Sequence, residues 1–199
     1  MTLRLHLICH APGAANRAQI FRADEPLDAI GLKKLACVVG PSVSDARVLC
    51  SPALQAVQTA DALGFDALPE PLLRDCDYGR WAGLSLDYVY AQHPEHIAQW
   101  LQDPAAAPHG GESIVDLISR AGGWLGALQY SETQDKKHDI IAITHASVIR
   151  AAVVFALGAP ASAFWRIDVA PLSLTRLSGH QMRWNLSSLG DLPRKSTRA

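Results

Sequence analysis

Two short runs constrain this chain more than anything else in its 199 residues. Leu3–Cys9 and Ile140–Thr144 are apolar almost throughout, and a histidine follows each at once, His10 and His145. Half-exposed strands alternate apolar and polar residues, so a near-continuous apolar run marks a strand buried on both faces. Such strands belong to parallel sheets with helices packed on either side. A third strand, Arg47–Cys50, ends before Ser51-Pro52. The expected fold is α/β: a three-layer sandwich with a mostly parallel central sheet flanked by helices. In open α/β sheets ligands bind beyond the carboxyl ends of the strands, which is where both histidines stand.

The rest of the chain fits that layout. Apolar residues recur at helical spacing over Gly31–Val39, and Ala53–Leu63 is rich in Ala, Leu and Gln, all good helix formers. Pro52 sits where that second helix can begin, with Ser51 as its expected N-cap. Ser147–Leu157 reads as another helix, closed by Gly158 and Pro160. Leu84–Gln102 reads as helices bearing Trp and Tyr, inserted over one end of the sheet. Leu172–Leu177 and Gln181–Leu186 flank Ser178-Gly179-His180 as a hairpin. One domain is expected over residues 1–192, then a polar basic tail, 193–199, frayed at the terminus.

Composition removes several function classes. The 18 basic and 19 acidic residues give a formal net charge of -1, whereas a nucleic-acid domain is distinctly basic. No run approaches the ~18 apolar residues of a membrane span. The opening MTLRLHLICH is too short, and too interrupted by Arg4 and His6, for a secretory signal. Cys9, Cys37, Cys50 and Cys76 lack paired spacing, so no disulfide framework is expected and a cytoplasmic location is. No Gly-x-Gly-x-x-Gly follows a strand, so no dinucleotide cofactor is expected. Cys9, His10, Cys76 and His145 are of the types that hold zinc but lack the short ligand spacings of a zinc site, and no metal is expected either.

Five motifs carry a resemblance over nearly the whole chain. Cys9-His10-Ala11 ends the first strand, with Asn16-Arg17 shortly after it, and SPALQAVQTA (Ser51–Ala60) opens a helix. LRDCDYGRWAG (Leu73–Gly83), GGES (Gly110–Ser113) and Thr144-His145-Ala146 follow in order. Together they resemble the histidine phosphatase superfamily, the phosphoglycerate-mutase-like fold, whose motifs read Arg-His-Gly, Ser-Pro-x-x-Arg-x-x-Gln-Thr-Ala, Leu-x-Glu-x-Asp-Phe-Gly-x-Trp-Glu-Gly, Gly-Gly-Glu-Ser and Thr-His-Gly. The resemblance implies phosphomonoester hydrolysis through a phosphohistidine. His10 matches the nucleophile, which as a neutral imidazole needs no base to activate it. His145 matches the histidine that contacts the phosphoryl oxygens. Asp75 falls where the family has a Glu that protonates the leaving oxygen. Asn16, Arg17, Gln55, Glu112, Ser113 and Ala146 match positions around the substrate.

The departures fall on the pocket's charge. Cys9 and Gln55 stand where the family has phosphate-binding arginines, and Ala11 and Ala146 replace glycines. An arginine's planar fork donates paired hydrogen bonds to phosphate, each worth about 1.5–3 kcal/mol. The expectation is a degenerate phosphate pocket with weak or atypical activity; the alternative is a catalytically silent member that binds a ligand or a protein. Losing nearby cations is also expected to raise the His10 pKa and deplete its neutral form. Arg17, Arg22, Arg74, Arg80 and His109 are candidates to restore the charge, Arg17 foremost. The implied ligand is a small phosphoester or another anion. Mutase activity is not implied, since a substrate with two anionic groups needs still more cations. A Cys-dependent phosphatase would need Arg six residues beyond Cys9, where Ala15 stands. The apolar composition permits a dimer without requiring one.

Overall fold

The computed structural model describes residues 2–21, 24–131, 138–181 and 183–195. Arg22 and residues 196–199 of the expected tail lie outside the described residues. Strand β1 (Leu3–Cys9) lies inside a six-stranded sheet, with β4 (Asp139–Thr144) parallel on one side and β5 (Ser173–His180) antiparallel on the other. Beyond β4 come β2 (Arg47–Cys50) and β3 (Leu68–Pro69), both parallel, and beyond β5 comes antiparallel β6 (Arg183–Asp191). Cys9 pairs with Thr144 and Cys50 with Ile143. This register brings His10, Ser51 and His145 out at one level of the sheet's carboxyl rim.

The apolar runs Leu7–Cys9 and Ile140–Ile143 have the expected cause, since each face has its own core, while Arg4 and His6 of β1 meet Asp139 at the strand's start. Leu5, Leu7, Cys9, Ile140 and Ala142 pack under α6 (Ile114–Ser131) and α7 (Ala146–Leu157). Ile8, Ile141 and Ile143 pack under α2 (Ala29–Ala36) and α3 (Leu54–Ala62), against Leu35, Ala56 and Ala60. The short α1 (Ala14–Arg17) follows β1. Helices α4 (Leu86–Gln92) and α5 (Pro94–Gln102) form the insertion over the rim, with a separate cluster of Phe21, Trp81, Val89, Ile97 and Trp100.

Several local expectations are corrected. Asp28, whose carboxylate accepts the Gly31 N–H, caps α2 and starts it before Gly31. Helix α3 starts at Leu54 with Ala53 at its cap; Ser51 lies two residues earlier, where its hydroxyl accepts the Ala53 N–H at 3.3 Å and meets His145. The terminal strands pair through Ser178, Gly179 and His180, so the reversal falls after His180, which pairs with Arg183. The first tail residues are held rather than frayed: Val39 N–H donates to the Pro193 carbonyl at 2.8 Å, and Lys195 N–H to that of Cys37 at 2.9 Å.

Candidate active site

His10 is built from the backbone outward. It follows β1 with its N–H on the Thr144 carbonyl at 2.9 Å. Its Nδ1 lies 2.7 Å from the Ala11 carbonyl. A carbonyl only accepts, so Nδ1 carries the proton and Nε2 is the ring atom with the lone pair. Burial lowers the His10 pKa from its ordinary value, outweighing the Ala11 bond and the Asp75 charge that raise it. Desolvation thus sets the net direction and favours the neutral imidazole, while the expected upward effect of lacking arginines is one relative to a pocket that has them. Ala11 is fixed in turn by its N–H on Thr59 Oγ1, 3.0 Å, which ties the turn after His10 to α3.

His145 ends β4 and caps α7. Its ring stands edge-on to His10, with centroids 5.0 Å apart. Nε2 meets Ser51 Oγ at 2.9 Å, and Nδ1 lies 3.8 Å from Asp75 Oδ2. The other carboxylate oxygen of Asp75 accepts from Cys76 N–H at 2.8 Å and from the Ser147 hydroxyl. Asp75 sits on a stretch clamped from behind. Arg120 of α6 donates to the Leu72, Arg74 and Asp75 carbonyls and forks onto Glu112 at 2.7 and 2.8 Å. Thr144 Oγ1 donates to the Leu73 carbonyl at 2.7 Å.

Two cavities meet at His10, Asn16, Asp75 and His145. One, about 240 Å³, continues between Cys9, Tyr78, Trp100, Phe164, Trp165 and Arg150. The other, about 190 Å³, continues past Ser51, Gln55, Asp24 and Arg74. Burial raises the Cys9 thiol to about 12, so this side chain is a neutral group beside His10. Arg150 donates from Nε to the Ile167 carbonyl at 2.7 Å and lies 5.9 and 6.0 Å from the ring centroids of Phe164 and Trp165.

The expected residues divide accordingly. His10, Asp75, His145, Asn16, Gln55 and Ala146 all line the cavities. Arg17, Glu112 and Ser113 line neither. The Arg17 guanidinium is paired with Asp28, Ser113 Oγ donates to Asp116 at 2.7 Å, and Glu112 holds Arg120. Glu112 therefore bears on Asp75 through Arg120 and through its own bonds to the neighbouring Cys76 and Asp77. Among the other candidate cations, Arg80 donates to the Pro108 carbonyl, and His109 is enclosed by Tyr78, Trp81 and Trp100 with its pKa lowered by burial. Arg74 does line a cavity. Arg150, Ser147, Ser51's role and Arg120 were missed. Arg150 and Ser147 follow His145 at spacings that share a helix face with Ala146 or each other, and Arg120 is the only basic residue of α6.

The glycines of the GGES motif have a steric reason. Gly110 has φ +77°, and a Cβ on Gly111 would stand 2.0 Å from the Asp77 carbonyl oxygen. Cys9, His10, Cys76 and His145 do not gather three ligand atoms; among the described residues the group that does is His93, Glu95 and His96. There the imidazoles stack, 25° apart in plane, so their in-plane lone pairs run side by side instead of meeting at one ion.

Residues 5–192 match the histidine phosphatase superfamily (branch 1). The chain belongs to that superfamily. Curated relatives include phosphoserine phosphatase 1 of Hydrogenobacter thermophilus, 28% identical over 116 residues, 56% of this chain and 52% of that protein. Glucosyl-3-phosphoglycerate phosphatase of Mycobacterium tuberculosis is 28% identical over 145 residues, 66% of this chain and 65% of that protein. The matched stretches thus span about half to two thirds of these relatives' lengths. The native structure of a mycobacterial glucosyl-3-phosphoglycerate phosphatase superposes with a TM-score of 0.79 at 23% identity, covering 96% of this chain and all 100% of the other. The α-ribazole phosphatase of Shigella flexneri gives 0.81 at 21% identity, covering 98% and 100%. These superpositions establish the superfamily's α/β fold. Among the described residues no helix is long and apolar enough to cross a membrane.

Proposed function

We propose that the chain hydrolyses a small phosphomonoester through a phosphohistidine on His10, in a pocket with few cations and hence with weak or atypical activity. The observation that carries this reading is the His10 ring itself: buried, kept neutral, and with Nδ1–H spent on the Ala11 carbonyl. Phosphatase relatives support the reaction class. The phosphoryl group occupies the junction of the two cavities, between His10 and His145. The aromatic lobe takes the leaving group, and the lobe of Ser51, Gln55 and Arg74 admits water. His10 Nε2 bonds to phosphorus as the ester P–O bond breaks, and Asp75 gives the departing oxygen its proton. Water then attacks phosphorus, returns a proton to Asp75, and the P–N bond breaks. Arg74 and Arg150, one in each lobe, supply only part of the positive charge that arginines in place of Cys9 and Gln55 would bring.

The four cysteines are all free thiols, in keeping with the cytoplasmic location that belongs to the same proposal, as does a single domain over 1–192. The test is turnover of an aryl phosphate from about pH 4 to 8, the span of carboxylate and histidine titration, for the wild type and His10→Ala. Turnover lost in His10→Ala supports the reading; turnover kept in it contradicts the reading. Neutral Cys9 and Gln55 beside the nucleophile favour a second reading, a silent member that binds an anion or a protein. A silent wild type that gains turnover on combining Cys9→Arg with Gln55→Arg supports that one.

A further inference from the structure

We infer that Ser147 is a positioning residue that selects which oxygen of Asp75 moves the proton, so that Asp75 and Ser147 act as one unit. The inference rests on the phosphohistidine reading above. Asp75 Oδ1 accepts two donors, the Ser147 hydroxyl and the Cys76 N–H at 2.8 Å. A carboxylate oxygen has two lone-pair sites, so Oδ1 is filled. Oδ2 is left facing the histidines, 3.8 Å from His145 Nδ1. Proton traffic therefore runs through Oδ2, the oxygen on the side of the phosphoryl site.

The placement of Ser147 suits this task and no local one. It is the second residue of α7, buried, and lines the aromatic cavity together with Asp75. A serine in the first turn of a helix often bonds neighbouring backbone; this one donates across 72 residues of chain to a carboxylate. The backbone of Asp75 is independently fixed by Arg120. What remains to be set is the rotation of the carboxylate about its own axis, and two donors on one oxygen set it.

The step balances with the groups present. As the His10 Nε2–P bond forms and the ester P–O bond breaks, the leaving oxygen takes the proton from Oδ2, and Asp75 becomes a carboxylate. In the second half Oδ2 takes a proton from the attacking water, its oxygen bonds to phosphorus, and the P–N bond breaks to free His10. In kcat/KM, which reads only as far as formation of the phosphohistidine, a badly turned carboxylate harms the esters whose leaving oxygen needs that proton, because general acid catalysis scales with leaving-group basicity; the water step, common to all esters, enters kcat alone. This separates positioning from a general structural defect, which lowers all esters alike.

The experiment compares kcat/KM on p-nitrophenyl, phenyl and alkyl phosphates for the wild type, Ser147→Ala, Ser147→Thr and His10→Ala. Ser147→Ala should lose about 10- to 100-fold on the alkyl ester, part of the ~10²–10⁴ that a general acid supplies, and under about threefold on the p-nitrophenyl ester. Ser147→Thr, which keeps the hydroxyl, should restore the wild-type dependence on leaving group. Equal losses on every ester, or none on the alkyl ester, overturn the inference. Turnover surviving in His10→Ala overturns the phosphohistidine reading instead. In a protein with no turnover the pair is read from urea midpoints: Ser147→Ala should shift the midpoint when Asp75 is present and not in an Asp75→Ala background. That coupling without turnover leaves the unit standing and overturns the reading; additive shifts overturn the unit.

Discussion

Beyond the side chains they share, the two cavities are lined by opposite chemistry. One passes among Tyr78, Trp100, Phe164 and Trp165, with Arg150 braced on a carbonyl and against two rings. The other passes Ser51, Asp24, Gln55 and Arg74, with little that is aromatic. At their junction His10, Asp75 and His145 are each held by a named donor or acceptor. The flanks instead hold a neutral thiol at Cys9 and an amide at Gln55. The contrast teaches that His10 is set by backbone and strand register and Asp75 by Arg120, Ser147 and the Cys76 N–H, whereas the charge of each lobe depends on whichever side chains line it.

The most damaging change should be His10→Ala, which removes the group common to both lobes. Turnover should fall by roughly a thousandfold or more, as when other nucleophiles are deleted, and by the same factor on every ester. A loss that varied with the ester would place the reacting centre inside one lobe.

Arg120→Met comes next. Glu112 and Arg120 form a nearly buried pair, with side chains 10% and 8% exposed. Removing one partner should cost about 3–5 kcal/mol of stability, readable in urea unfolding. Because the clamp holds the Asp75 backbone, the surviving folded fraction should lose activity in both lobes equally.

The two cations should then distinguish the lobes. Arg150→Met and Arg74→Met should each lower kcat/KM by about 10- to 100-fold, the worth of a hydrogen bond to a charged group. The Arg150 effect should change with the leaving group and the Arg74 effect should not. Equal behaviour across a set of esters would merge the lobes into one. The smallest effect is on pH. Since burial lowers the His10 pKa, the neutral nucleophile survives as pH falls past about 6.5, and kcat/KM should hold there and drop only on further acidification.

The sheet and its rim are legible in the sequence because burial on both faces writes a continuous apolar run, and a histidine next to it interrupts that run visibly. The longest helix, α6, is not, since Gly122, Gly123 and Gly126 argue against a helix while packing argues for one. At Gly122 a Cβ would stand 2.3 Å from the Phe155 ring of α7, so the glycine serves the close approach of two helices. Arg17 reads well as a phosphate contact by position, yet its pairing with Asp28 is a contact between segments that no local pattern records. Ser147 and Arg150 are hidden for a different reason. The expected helix already carries both, but nothing local records that this face turns toward Asp75, 72 residues away.

The central claim is that phosphorus bonds to His10. Protein quenched in alkali during turnover of an aryl phosphate, digested and sequenced by mass spectrometry, tests it directly. The account predicts a phosphoryl group on the peptide containing His10, on that residue, and none in His10→Ala. Phosphate released at the wild-type rate with His10 never labelled, or a label on Ser51, Ser147 or His145 instead, would contradict it.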